Sequence, residues 1–316
     1  MSATIKHSLV VPCYNEEDNV AAFLAAAEAA MDGYTADYEI VFVNDGSTDR
    51  TQQELDRLFE AHPQLHLQII RFSRNFGKEA AMLAGLRAAK GEYVTIIDAD
   101  LQQQPEIAVK MGRLLDEKPE IDMVAAYQNG RKESKYIEWC KETFYKVLNR
   151  ITEVEIIPDA SDFRTLRRPV VEAVLSMTEY HRFSKGIFSW VGYTTESIPY
   201  EVQERKAGQT KWGFWKLLRY AANGIVAYTD VPLKWPVFMS IVMLIAAALT
   251  AIVSLILLLC GQAVPASAWV AALVLLLSSA LSFNQGVLGL YLGKVHTQVK
   301  ERPIYIVKEK RSYEQD

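Results

Sequence analysis

Asp98, Asp100 and Gln102 stand two apart at the end of an apolar run, Tyr93-Val94-Thr95-Ile96-Ile97, and residues of those types at that spacing can do chemistry. The run is rich in β-branched residues, follows Lys90-Gly91 and ends in a polar turn, which is the pattern of a central parallel strand. Ligands of open α/β sheets gather at the carboxyl ends of such strands. A bend there turns both carboxylates toward one hard cation, with the Gln102 amide as a neutral oxygen donor, and such a cation suits the oxygens of a departing diphosphate. A D-x-D alone is weak, because an Asp capping a helix after a loop looks the same. Its weight comes from its position and from what ends the neighbouring strands.

Two other strands end in similar chemistry. Val10-Val11-Pro12-Cys13-Tyr14-Asn15-Glu16-Glu17 places an aromatic ring, an amide and carboxylates past the first strand, where Tyr14 can flank a base and Glu16 can accept from a base N–H or a ribose hydroxyl. Asn44-Asp45-Gly46-Ser47-Thr48-Asp49 repeats the arrangement, with Asp45 a second acceptor for a nucleoside and Gly46 permitting a tight turn. Each stretch alone could be a simple turn. Carboxylates at the ends of three strands of one sheet repel one another unless a cation or a donor-rich ligand sits among them.

The elements that must position these residues follow from periodicity. Strands are expected at Ser8–Val11, Tyr38–Asn44, Leu65–Phe72, Tyr93–Ile97 and Asp122–Tyr127, with helices at about 17–31, from 48 to about 60, after Gly77 to Lys90, and at 105–117, the last with Pro105 in its first turn. Strands alternating with helices of this length indicate right-handed crossovers and a mostly parallel α/β sheet. No G-x-G-x-x-G follows the first strand, so the usual dinucleotide fold is excluded. Beyond residue 130 the pattern loosens to a helix at about 134–150, the segment Pro158–Arg164, a helix after Pro169 and a strand at Tyr193–Tyr200.

From Trp235 to Gly293 there is no Asp, Glu, Lys, Arg or His, and Gly261-Gln262-Ala263-Val264-Pro265 splits that stretch into spans at about 236–260 and 268–293, each long enough for a bilayer. Residues 1–233 form the soluble domain, 235–293 a two-helix transmembrane hairpin, and 294–316 a basic tail. Lys234 and Arg219 precede the hairpin, Lys294, Lys300, Arg302, Lys308, Lys310 and Arg311 follow it, and the connecting loop has no charge, so both ends are expected on the cytoplasmic side of the inner membrane. The N-terminus lacks a basic region followed by an apolar stretch, so the soluble part is expected to stay where it is made. Residues 212–228, with Trp212, Trp215, Lys216 and Arg219, suit an amphipathic helix in the headgroup layer or one packed on the domain; the nearby charge-free stretch favours the first. Cys13, Cys140 and Cys260 are too scattered for a disulfide framework or zinc site. A net charge of -4 identifies no partner, and nothing points to nucleic acid.

Val11-Pro12-Cys13-Tyr14-Asn15-Glu16, Asn44-Asp45-Gly46-Ser47-x-Asp49, Arg74-Asn75-Phe76-Gly77-Lys78 and Asp98-Ala99-Asp100-Leu101-Gln102-x-x-Pro105 resemble family 2 glycosyltransferases of GT-A fold. More narrowly the chain resembles the polyprenyl-phosphate glycosyltransferases, the group that includes dolichol-phosphate mannose synthase and bacterial undecaprenyl-phosphate glucosyltransferases, over nearly its whole length. Asp-Leu-Gln-x-x-Pro, Ser161-Asp162-Phe163-Arg164 and Glu204-Arg205-x-x-Gly208-x-Thr210-Lys211 are the specific parts. The resemblance implies that Pro12, Tyr14, Glu16 and Asp45 hold the nucleoside, that Asp98, Asp100 and Gln102 hold Mg²⁺ or Mn²⁺ and diphosphate, and that Arg205 and Lys211 close over the phosphates. It makes Asp162 the candidate base. A lipid phosphate is already largely dianionic at neutral pH, so Asp162 could instead position Arg164 or the sugar.

In place of the basic cluster that relatives carry after the fifth strand stand Arg131, Lys132 and Lys135, which leaves acceptor phosphate to be met by Arg131, Ser161 or Arg164, or makes those cations plain surface charge. The expected activity is inverting transfer of one sugar from a nucleotide sugar, UDP-glucose or UDP-N-acetylglucosamine, to undecaprenyl phosphate at the membrane, by a homo-oligomer. A processive polysaccharide synthase is disfavoured because Gln209-Thr210-Lys211-Trp212 is not Gln-x-x-Arg-Trp and two spans form no polymer channel. A non-catalytic adaptor is disfavoured because it needs no full set of leaving-group ligands.

Overall fold

The computed structural model describes residues 5–128, 160–180, 182–200 and 266–313. The chain divides into two units, Met1–Arg150 with Val154–Leu217 and Pro303–Asp316, and Ile151–Glu153 with Leu218–Arg302. In the first unit β1 (His7–Cys13), α1 (Val20–Asp32), β2 (Tyr38–Asn44), α2 (Thr51–Ala61), β3 (His66–Phe72), α3 (Lys78–Ala88), β4 (Tyr93–Ile96) and α4 (Pro105–Glu117) alternate as the periodicity predicts. The sheet continues with β5 (Met123–Gln128), β6 (Ala160–Arg167), α5 (Arg168–Ser176), α6 (Ser184–Trp190), β7 (Thr195–Tyr200) and β8 (Val307–Ser312).

The eight strands lie in the order β7-β5-β6-β4-β1-β2-β3-β8. β1 pairs in parallel with β2 and β4, β2 with β3, and β5 with β7. The chain winds from β1 outward through β2 to β3, then crosses back to β4 on the other side of β1, so winding reverses between β1 and β4. That reversal opens a crevice at the carboxyl ends of these two strands. The central strands are continuous apolar runs because they are covered on both faces, with Leu9, Val10, Val11, Ile40, Val41 and Val43 fully buried. Under α1 and α4, Phe23, Leu24, Met31, Met111 and Leu115 close one layer, each such side chain contributing about 1.5–3 kcal/mol.

The right-handed rule puts α3, whose connection runs the opposite way across the sheet, on the other face. Its small residues let it lie close: a Cβ at Gly85 would stand 2.1 Å from Cγ1 of Val10. The N-terminus of α3 is thereby held over the crevice.

Two features depart from the sequence reading. β6 inserts antiparallel between β4 and β5, pairing with both, where a loosely patterned segment was expected. The basic tail contains β8, which pairs antiparallel with β3 at the sheet edge, and Tyr313 donates its hydroxyl to the buried Glu39 of β2 at 3.3 Å. Its alternating charges keep that edge unattractive to other strands, so it folds without an apolar signature.

In the second unit α7 (Ala266–Val299) is a helix of 34 residues that includes the whole expected second span. Among the described residues no helix is long and apolar enough to cross a membrane, some side chains of α7 lying outside that description. The first expected span and the interfacial helix at 212–228 lie outside the described residues.

Candidate active site

The loops after β1 and β2 are built as one piece. Asn15, at φ 55°, donates its backbone N–H to Ser47 Oγ at 3.0 Å and accepts from Thr48 N–H at 2.9 Å, while Glu16 N–H reaches Thr51 Oγ1 at 2.8 Å. Glu16 accepts from the Asn19 amide at 2.6 Å, and Tyr14 is an exposed large side chain beside it, with Pro12 still in the β1 ladder opposite Val43. Tyr14 and Glu16 thus stand together just past the carboxyl end of β1.

Asp45 has a further occupation. Its Oδ1 accepts from Phe76 N–H at 2.6 Å and its Oδ2 from Gly77 N–H at 2.9 Å, so it clamps the turn that leads into α3. Burial raises its pKa above the usual carboxylate value, and the two N–H groups work against that rise. Gly46, at φ +64°, makes the approach possible: a Cβ there would lie 2.3 Å from the carbonyl carbon of Arg74.

After β4 the expected bend occurs at Leu101, whose φ of 58° is left-handed and costs a non-glycine residue about 1–2 kcal/mol. Such an outlier is tolerated where function needs the turn. Asp100 Oδ1 accepts from Gln102 N–H at 3.2 Å. Gln103, which the sequence reading did not single out, braces Asp98 from two sides: its Oε1 accepts from Asp98 N–H at 2.9 Å and its Nε2 donates to Asp98 Oδ2 at 3.2 Å. Its only sequence signal is its place within Gln102-Gln103-Gln104.

β6 supplies the third acid. Ile96 stands opposite Arg164 in the antiparallel pair, so continuing β4 by two residues brings Asp98 to the level of Asp162. Lys78, the first residue of α3, joins them, with Nζ 2.6 Å from Asp98 Oδ1 and 3.7 Å from Asp162 Oδ2. In the sequence Lys78 is marked only by its place in Arg74-Asn75-Phe76-Gly77-Lys78. Burial lowers its pKa, but the carboxylates of Asp98 and Asp162 outweigh this and raise it; since 42% of the side chain is exposed, water tempers the burial effect. Asp162 Oδ1 is buried and accepts no hydrogen bond among the described residues. A buried carboxylate oxygen in that condition calls for a donor from elsewhere.

The remaining predicted residues divide. Arg164 is 4% exposed, its guanidinium 4.2 Å above the Phe188 ring, and burial lowers its pKa to about 10 while Asp162 opposes the change. It shares the face of Asp162 and stacks on Phe188 of α6. Next to Lys78, Glu79 binds Ser184 at the start of α6 through backbone N–H and hydroxyl, its pKa raised by burial and then by Asp162. Ser161 lies in β6 with its side chain outside the described residues; Arg131, Lys132, Lys135, Arg205 and Lys211 lie outside them altogether.

Residues 8–175, more than half of the chain, match the sequence profile described as glycosyl transferase family 2. The chain belongs to glycosyl transferase family 2. This family 2 enzyme is 38% identical over 309 residues to the uncharacterised glycosyltransferase sll0501 of Synechocystis, covering 97% of this chain and 96% of that protein. It is 36% identical over 311 residues to the prophage bactoprenol glucosyl transferase homologue of Escherichia coli K12, with 96% and 99% covered. The bactoprenol glucosyl transferase of Shigella phage SfII is 36% identical over 312 residues, with 96% and 98% covered. Among solved structures, the mannosyltransferase PcManGT of Pyrobaculum calidifontis, in complex with GDP-Man and Mn²⁺, is similar at 18% identity and a TM-score of 0.45, covering 94% of this glycosyltransferase and 88% of its own chain.

Among the described residues no three His, Cys, Asp or Glu side chains converge as a metal cage. The donor set expected in this glycosyltransferase is two carboxylates and an amide, hard oxygen ligands that leave positions for diphosphate. The ammonium 2.6 Å from Asp98 Oδ1 is a stand-in showing that this oxygen accepts a cation.

Proposed function

We propose that this glycosyltransferase moves one glucosyl residue from UDP-glucose, or N-acetylglucosamine from its UDP derivative, onto undecaprenyl phosphate with inversion, at the cytoplasmic face of the inner membrane. The observation that carries the reading is the meeting of Asp98, Asp162 and Lys78 at the topological reversal of the sheet, with the Tyr14–Glu16 rim beside it. Two relatives of nearly equal length named for bactoprenol glucosyl transfer support the acceptor and favour glucose. Support for the membrane comes from the charge-free stretch 235–293 and from α7, which leaves Leu281, Leu288, Leu290 and Leu292 exposed along its length.

Loss of the sugar builds negative charge on the diphosphate and positive charge on the ring, so groups aimed at those charges act most in the transition state. Asp98, Asp100 and Gln102 would hold Mg²⁺ or Mn²⁺, which when bound would supply neutralising charge to the leaving diphosphate. Gln103 fixes the Asp98 carboxylate, and the Gln102 N–H holds Asp100 Oδ1 across the left-handed turn at Leu101. Arg205 and Lys211 add cations over the phosphates. Asp162 presents its buried Oδ1 to the sugar or acceptor, as base or as orienting acceptor.

The test incubates membranes containing the protein with a panel of radiolabelled nucleotide sugars and undecaprenyl phosphate. Labelled lipid from one or two donors, abolished by EDTA and in Asp100→Ala, is the expected result. Label in long polymer would make the protein a synthase, and none from any donor would make it a binding protein without turnover.

A further inference from the structure

We propose that Lys78 is a positioning residue of this site, an internal cation that holds Asp98 and Asp162 together before the donor arrives and surrenders Asp98 when the divalent ion binds. The proposal rests on the reading above that Asp98 is a metal ligand.

Antiparallel pairing of β4 with β6 forces the problem that Lys78 solves. The register that sets Ile96 against Arg164, carried two residues past the end of β4, brings Asp98 to the level of Asp162, and like charges so placed repel. Lys78 reaches both, at 2.6 and 3.7 Å. Its place on α3 is otherwise a poor one, because a cation in the first turn opposes the helix dipole. Several contacts nevertheless fix it there: Gly85 seats α3 on Val10, Asp45 clamps Phe76 and Gly77, and Gly46 admits the 74–75 backbone. A helix seated closely on Val10 through Gly85 and clamped through the N–H groups before its first turn carries its first side chain to one spot.

The pair of oxygens on Asp98 is divided: Oδ2 takes the Gln103 amide and Oδ1 takes the Lys78 ammonium, so a metal that used Oδ1 would meet the ammonium there. A dication on that oxygen would stand within about 5 Å of an ammonium left in place, and the two would repel. Lys78 therefore competes with the metal until diphosphate brings its own negative charge. Swinging toward Asp162 keeps the ammonium paired, which leaves Asp162 Oδ1 available throughout. The device makes metal binding weak without nucleotide and strong with it.

The experiment measures Mn²⁺ binding to the full chain by the loss of free-Mn²⁺ EPR signal, with and without UDP, in wild type, Lys78→Met, Lys78→Gln and Lys78→Arg. Removing a unit charge about 5 Å from a dication changes affinity by at least about tenfold, the bulk-water limit. Without nucleotide, Lys78→Met and Lys78→Gln are expected to bind Mn²⁺ about tenfold tighter than wild type, with Lys78→Arg within about threefold of it. In an Asp98→Asn background the gain disappears. Unchanged affinity in either neutral variant that melts like wild type overturns the proposal, and Lys78→Gln, which keeps a donor for Asp98, carries the test where Lys78→Met does not fold. Failure of the underlying reading looks different: wild type and Asp100→Ala would then bind Mn²⁺ equally in the presence of UDP, and the proposal would fall with it.

Discussion

Asp45→Asn separates two occupations of one carboxylate. Asp45 is 3% exposed and accepts from Phe76 N–H at 2.6 Å and Gly77 N–H at 2.9 Å, both bonds strengthened by its charge. Asparagine keeps one acceptor oxygen and turns an NH₂ toward the other N–H, so one bond is lost, the charge on the other is lost, and two donors face each other. A hydrogen bond to a charged group contributes about 1.5–3 kcal/mol, and an unsatisfied buried N–H adds to its loss, which gives about 2–4 kcal/mol for the substitution. For a domain of this size that is a fall in Tm of roughly 5–15 °C. Circular dichroism of the purified full chain measures the melt, and donor titration in the lipid-labelling assay measures KM. Because the clamp also sets where α3 begins, activity should drop at saturating donor as well. A variant that melts with wild type while its donor KM alone rises would refute the clamp and leave Asp45 as a nucleoside contact only.

Gly46→Ala should be at least as damaging, since it adds a left-handed alanine at about 1–2 kcal/mol to a Cβ placed 2.3–2.7 Å from backbone atoms of Arg74 and Asn75; wild-type thermal stability in that variant would show that the loop yields freely. His7 predicts an acid-dependent loss of stability: burial, with help from Lys6 and against Asp116, pushes its pKa down to about 3, so the native ring stays neutral while the unfolded chain binds a proton below about 6.5. The unfolded state then holds more protons between those values, so this contribution is intact above about pH 6.5 and falls as pH drops toward 3. Relative to His7→Gln, wild type should lose about 2 kcal/mol between pH 7 and pH 5 in denaturant unfolding; parallel pH profiles would contradict it.

Where the fold was legible, the signal was local. β2 was predicted at Tyr38–Asn44 and α4 at 105–117, and both occur at those bounds, because an unbroken apolar run and a Pro-initiated amphipathic helix each carry their own period. The strand-end acids were legible for the same reason. What was missed is non-local. Ala160–Arg167 alternates Asp, Phe, Arg, Thr and Leu, and nothing in that string reveals that it lies antiparallel between β4 and β5. Val307–Ser312 reads as basic tail because an edge strand is protected by charge. Gln103 escaped because its task, bracing Asp98, depends on a left-handed turn at Leu101 that no propensity predicts.

The missed strand changes how the candidate site must be understood. Acids at the ends of β1, β2 and β4 are spread along one edge, and a mobile cation would suffice to balance them. Asp162 is different, since pairing fixes it at the level of Asp98 and leaves one of its oxygens buried without a partner among the described residues. Two fixed acids need a fixed counter-charge, and among the described residues the first residue of α3, a helix seated by Gly85 and clamped by Asp45, brings one to both. A lysine at its first position costs helix stability yet offsets half of the pair's charge, so the tight glycines and the placement of Lys78 answer one electrostatic constraint that the sheet topology sets.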